Sequence, residues 1–361
     1  MGSQDKINEL EAELSKTKYN KATQHHVGLI KAKIARLKDK QLGAKGGKTE
    51  GYAVKKSGDA SVILIGFPSV GKSTLLNSLT AAQSAVAAYE FTTLDVIPGI
   101  LEWKGAMIQL LDVPGIIEGA SIGRGRGRQV LSVAMNADMV LLVVDVMHPE
   151  QAAVLIKEVS EFNLRLNQHK PDVRITKTAR GGMDIGATIR LTKISHETIR
   201  AVCKEFGIMN AQIVLREDIT VDQLIDVLEG NKRYVPAVTA MNKVDLVIPA
   251  EADRSRRSIN ADVCISADKR TNLLELKNLI YSRLQFIRVY TKEAGNKADL
   301  NEPLIMLRGT TIRDVCNKLH KDFITKFKYA RIWGSSRFPG QLFKNTNYIL
   351  KDQDIIEIHT R

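Results

Sequence analysis

Gly66, Gly71, Lys72 and Ser73 fall in the order G-x-x-x-x-G-K-S within GFPSVGKST, residues 66–74. Two glycines at that spacing let backbone N–H groups turn inward around an anion, and the adjacent lysine adds a positive charge. The segment follows the apolar run Val62-Ile63-Leu64-Ile65 and precedes Leu75-Leu76-Asn77-Ser78-Leu79, so it reads as strand, glycine turn and helix. The helix start adds further N–H groups and the positive end of its dipole. This is the chemistry of a polyphosphate cradle, here Gly66, Pro68, Ser69, Val70, Gly71, Lys72, Ser73 and Thr74. In such a cradle the lysine reaches the β- and γ-phosphates and the Ser73 hydroxyl ligates Mg²⁺.

From Ala60 onward apolar strand-like runs alternate with helical stretches, which predicts an α/β fold with a mainly parallel sheet. The remaining polar motifs sit where such strands end. Met107–Leu111 runs into Asp112-Val113-Pro114-Gly115, Met139–Val144 is closed by Asp145, Pro236–Met241 runs into Asn242-Lys243-Val244-Asp245, and Val263–Ile265 into Ser266-Ala267. Open α/β sheets bind ligands at that edge. Asp112 is expected to hold Mg²⁺ through water and the Gly115 N–H to meet the γ-phosphate. Of Thr92 and Thr93, in the polar loop before the strand-like Leu94–Ile97, Thr93 is preferred to complete the metal shell. Lys72, Thr93 and Gly115 are the catalytic candidates, and Ser73, Thr93 and Asp112 the Mg²⁺ ligands.

A carboxylate at Asp245 accepts from guanine N1–H and the exocyclic amine, which adenine cannot reproduce. Asn242 is expected to brace the loop and contact N7, the Lys243 stem to lie over the ring, and Ala267 N–H, beside Ser266, to point at O6. NKVD or SA alone is commonly a surface turn. With the phosphate loop, FTT and DVPG in this order, they predict a GTP site.

Beyond the sheet, Ile7, Leu10 and Leu14, then Leu29/Ile30, Ile34 and Leu37, sit at helical spacing and predict an N-terminal hairpin. Tyr19-Asn20 is its bend, Thr23 the second helix's N-cap, and Gly43 lies beyond its end. Lys31, Lys33, Arg36, Lys38 and Lys40 line that second helix, either against a neighbouring domain or on RNA. The net charge of +13 is unevenly placed: residues 1–58 hold 13 Lys/Arg against 6 Asp/Glu, 295–361 hold 12 against 7, and 59–294 hold 28 against 27. Basic ends around a neutral middle suggest a polyanion, RNA before DNA, with a solvated surface as the plainer reading. No apolar run is long enough for a bilayer, MGSQDKINELEAEL lacks a signal-peptide core, and Cys203, Cys264 and Cys316 are odd in number and scattered. A cytoplasmic chain without membrane partners is expected. The seven histidines show no metal-ligand spacing.

GFPSVGKSTLLN, YEFTTL, LDVPGIIEGA, GRGRGRQV and the N-terminal KATQHHVGLIKAKIARLK resemble the developmentally regulated GTP-binding family, within the Obg-related translation-factor class. The resemblance covers essentially the whole chain. It implies a P-loop GTPase domain, an inserted small αβ domain, an N-terminal helical hairpin and a C-terminal β-grasp TGS domain. The boundaries expected are 1–58 for hairpin and linker, 59–162 and 234–292 for the GTPase domain, 163–233 for the insertion and 293–361 for TGS. It also implies ribosome or RNA association, a K⁺ response and a regulatory partner protein. Ser69 stands where potassium-activated relatives often carry Asn, and Ile116 where Ras-like enzymes have the glutamine that orients water. Arg124, Arg126 and Arg128 in the glycine-rich segment after DVPG are open to three readings: partner or RNA contact, a transition-state charge, or solvent exposure. Three functions compete: a GTP-hydrolysing switch, an RNA- or ribosome-binding adaptor whose hydrolysis is incidental, and an ATP-using relative, which NKVD opposes.

Overall fold

The computed structural model describes residues 3–18, 20, 23–43, 58–80, 97–112, 133–161 and 163–360. It divides into two compact units, Met1–Gly51 with Asn163–Tyr234, and Tyr52–Phe162 with Val235–Arg361. Among the described residues no helix is long and apolar enough to cross a membrane.

The second unit is built on a six-stranded sheet ordered Val263–Cys264, Ala237–Asn242, β4 (Met139–Asp145), β1 (Ala60–Ile65), β3 (Ala106–Asp112) and β2 (Ile97–Trp103). Every pairing is parallel except that of β2 with β3. β1 and β4 are buried at every position. Continuous apolar runs such as Met139–Val144 mark strands covered on both faces. Val62, Leu64, Ile108, Leu110 and Leu141 pack with Leu75, Leu76 and Leu79 of the helix Lys72–Leu79, and with Leu276 and Ile280 of Leu273–Arg283. Five parallel strands therefore end on one edge. Of the strand-like 94–97 only Ile97 is described, and it opens a strand reaching Trp103. Pro98 and Gly99 disguise that strand in sequence, and β2 tolerates the proline because it is the sheet's outer strand.

The chain then enters a five-stranded sheet ordered Leu304–Leu307, Phe286–Thr291, Asp354–Thr360, Phe327–Trp333 and Gln341–Phe343. Ile312, Val315 and Cys316 of the helix Ile312–Leu319 pack on Ile287, Val289, Ala330, Ile332 and Ile356, a β-grasp. The helix Leu273–Arg283 ends before Phe286, which begins the strand that pairs with both Leu304–Leu307 and Asp354–Thr360. A division at 293 thus falls one strand late. The helix Ile312–Leu319 stops there because His320 is extended (φ −168°) and caps a second short helix, Lys321–Thr325.

In the first unit the helices Ser3–Lys16 and Gln24–Gly43 close over Ile7, Ile30 and Ile34. At their bend the Thr23 N–H donates to Asn20 Oδ1 (2.9 Å) and the Asn20 N–H to Thr23 Oγ1 (3.0 Å). Gly43 is the last residue of the second helix, where it had been expected just beyond it. The inserted segment forms a three-stranded sheet, Val173–Lys177, Ala211–Leu215 and Met183–Ala187, with helices His196–Glu205 and Val221–Glu229. Ser195 and Thr220 cap those helices. The hairpin's second helix adds Ala32 to the insertion's core, among Ile199, Val202, Cys203 and Leu224. At Gly28 a β-carbon would stand 2.9 Å from Thr198 Cγ2, so the approach needs a glycine. Lys31 pairs with Asp222 (2.7 Å), Arg36 donates to the Glu205 carbonyl (2.6 Å), and Lys38 pairs with Glu11 (2.8 Å). Much of the basic stripe is therefore spent inside its own unit.

Ala32→Glu puts a charge into that core, at a cost of about 3 kcal/mol or more. Urea unfolding followed by probes in each unit is expected to show the first unit's transition shifted to lower urea and the second's unchanged.

Candidate nucleotide-binding site

β1 delivers Gly66 so close to β4 that a β-carbon there would collide with the Val143 carbonyl. Ser69 (φ 60°) and Gly71 (φ 94°) are left-handed, turning the loop back onto the helix that begins at Lys72, while Val70 is buried as its anchor. Pro68, Ser69, Ser73 and Thr74 are exposed around the loop. The Lys72 ammonium donates to the Gly66 carbonyl (3.0 Å) and the Phe67 carbonyl (2.9 Å). Burial lowers the pKa of Lys72, and the charge of nearby Asp112 works against that shift.

Ser73 Oγ donates to Asp112 Oδ2 at 2.6 Å, joining the helix start to the end of β3. Asp112 is buried. A hydroxyl and a carboxylate held together beside a phosphate loop are the hard oxygen donors that suit Mg²⁺.

The base end is tied to this loop by one side chain. Asn242, 2% exposed, donates from Nδ2 to the Val70 carbonyl (2.8 Å) and accepts at Oδ1 from the Ala267 N–H (2.9 Å). A β-carbon at Gly71 would lie 2.5 Å from Asn242 Nδ2, so this closeness also needs its glycine. The Ala267 N–H, expected from sequence to face a base oxygen, is here given to Asn242. Ser266 Oγ accepts from the Lys269 N–H (3.0 Å), and Ser78 Oγ donates to the Ala267 carbonyl (3.0 Å), a second link from the phosphate-loop helix to the base loop. Lys243 is left-handed (φ 66°) with its ammonium 2.7 Å from Asp145 Oδ2. Asp245 is exposed on the short 3-10 turn Val244–Leu246.

The residues 66–74, Asp112, Asn242, Lys243, Asp245, Ser266 and Ala267 thus lie at the strand-end edge. Thr92, Thr93, Gly115, Ile116, Arg124, Arg126 and Arg128 lie outside the described residues. Sequence reasoning passed over Ser78, and it took Asp145 only as a strand end. The register of β4 with Ala237–Asn242 sets Asp145 opposite Asn242, beside Lys243. No local motif carries that information.

Three family models match in succession: a 50S ribosome-binding GTPase over residues 61–177, the C-terminal region of the MMR_HSR1 domain over 180–286, and a TGS domain over 287–360. The chain is 50% identical to an uncharacterized GTP-binding protein of Methanocaldococcus jannaschii, over 99% of this chain and 93% of that one. It is 45% identical to the developmentally-regulated GTP-binding protein 2 homolog of Dictyostelium discoideum, over 99% of each. It is 41% identical to developmentally-regulated GTP-binding protein 2 of Homo sapiens, again over 99% of each.

Asn242→Asp keeps the acceptor for Ala267 N–H but sets a carboxylate oxygen against the Val70 carbonyl in a buried place. Thermal and urea unfolding are expected to show a loss of about 2–4 kcal/mol, with guanine nucleotide affinity falling in parallel.

Proposed function

Because the chain belongs to the developmentally regulated GTP-binding protein family, we propose that it hydrolyses GTP to GDP and phosphate as a ribosome- or RNA-associated switch in translation. The observation that carries this reading is the Asn242 amide, which holds a phosphate loop and a guanine-type loop in one rigid piece. Guanine is read by Asp245, whose carboxylate accepts two hydrogen bonds from the base edge. Lys72 leaves the Gly66 and Phe67 carbonyls to meet the β- and γ-phosphates, and backbone N–H groups of the loop share their charge. Ser73 directly and Asp112 through water would hold Mg²⁺, which would supply neutralisation of the charge that develops on the leaving phosphate. Thr93 would complete that ion's shell and the Gly115 N–H would hold the γ-phosphate, contacts that would end when the phosphate leaves. A K⁺ response is implied by the family, although Ser69 stands where potassium-activated relatives often carry Asn.

Ile116 has no group to orient water, so turnover is slow until another component places it. The ribosome is favoured for that role, in the cytoplasm, by the GTPase-domain family match and by the basic C-terminal region. A regulatory partner protein is the other source of the missing group. The adaptor reading is favoured by the hydrocarbon at position 116 together with the basic C-terminal region.

GTP turnover in K⁺ and Mg²⁺ buffer, with and without purified ribosomes, tests the proposal. Wild-type turnover is expected to rise with ribosomes, and Lys72→Ala to lower it by about a hundredfold or more. Turnover unmoved by ribosomes, with ribosome binding intact and indifferent to nucleotide, establishes the adaptor in its place.

A further inference from the structure

We infer that Asp145 is a positioning residue for guanine recognition: it draws the Lys243 ammonium aside so that the lysine's methylene stem, and not its charge, forms a wall for the base. The inference rests on the guanine-nucleotide reading above. Asp145 ends β4 and is the register partner of Asn242, so its side chain stands beside the residue that follows Asn242. Its carboxylate is aimed before any partner arrives. Oδ1 accepts from the Met147 N–H (3.0 Å), and the Asp145 carbonyl accepts from the His148 N–H (3.0 Å), closing a turn at the strand end. Oδ2 is left for the Lys243 ammonium at 2.7 Å.

Burial gives this contact weight. The Asp145 side chain is 11% exposed and that of Lys243 is 31% exposed. A carboxylate that enclosed is costly without a cation, so the pair persists where a surface pair would open. The other end of Lys243 is fixed as well. Its backbone is left-handed, its carbonyl accepts from the Leu246 N–H (3.1 Å), and the Val244 N–H donates to the Ile265 carbonyl (3.3 Å). A lysine free to rotate would lose several rotamers on covering a base, whereas one pinned at both ends has lost them before the nucleotide binds. Methylene groups attract any purine face and read no edge atom. Asp145 therefore strengthens retention of every base that Asp245 accepts, by the same factor.

The test is release of fluorescently labelled GDP and of labelled IDP, which lacks the exocyclic amine, from the full chain by stopped flow. Asp145→Asn is expected to speed release of both by about fivefold, the entropy of one long side chain set free, and to leave the GDP-to-IDP ratio at its wild-type value. In a Lys243→Met background, which keeps an apolar stem without the ammonium, Asp145→Asn is expected to add nothing. Unchanged release in the single variant overturns the inference, as does an equal acceleration in the Lys243→Met background. A collapse of the GDP-to-IDP ratio overturns it too, because Asp145 would then be acting on Asp245. Wild-type chain that releases labelled ADP as slowly as GDP overturns the guanine reading itself, and is seen before any variant is made.

Discussion

A single buried carboxamide sets the geometry of the nucleotide site. Asn242 offers one donor and one acceptor to two backbone groups from distant parts of the chain, Val70 of the phosphate loop and Ala267 of the base loop. Neither group has water to turn to in that enclosure, so satisfying both at once is close to obligatory. The tie works only because the scaffold brings the three loops within reach. Parallel strands covered on both faces put their carboxyl ends on one edge, and glycines at 66 and 71 let backbone and amide approach without a β-carbon between them. Ser78 repeats the link from the helix side. A site connected in this way holds phosphate and base subsites at a fixed separation before ligand arrives, which favours one whole nucleotide over its fragments.

The glycine turn at 66–74 and the polar turn at 242–245 were legible in the sequence as strand-end loops because each is a local pattern. A glycine spacing between an apolar strand and a helix, or a polar quartet after an apolar run, carries its geometry within a dozen residues. Asp145 was not legible as a partner of Lys243, since the two are 98 positions apart and meet only through strand register. β2 was truncated in the reading because Pro98 and Gly99 look like a turn, and only its place at the sheet's outer edge explains their presence. The strand from Phe286 follows closely on the helix Leu273–Arg283. Left-handed Gln285 (φ 53°) marks the real break, and nothing in a glutamine announces it.

Charge was legible in amount and misleading in use. The basic N-terminal helix invited an RNA-binding reading, yet three of its cations, Lys31, Arg36 and Lys38, are answered by Asp222, Glu205 and Glu11 within one compact unit. Packing against a neighbouring segment, one of the two readings open for that helix, is what these pairs show. The C-terminal domain differs. Arg308, Lys328, Arg331 and Lys344 are exposed on it. The hairpin's chief contribution is apolar: Ala32 completes a core that the insertion's own helices leave open.

Titration calorimetry of the wild-type chain with GDP and with ADP, both in Mg²⁺ buffer, tests the central claim most directly. A phosphate loop alone holds both ligands equally, whereas one tied to a guanine-reading loop discriminates through the base edge. The account predicts that GDP binds more tightly than ADP by on the order of a thousandfold or more, since adenine leaves the Asp245 carboxylate without its donors. Comparable affinities for the two would contradict it, leaving a phosphate-binding protein whose base loop reads nothing.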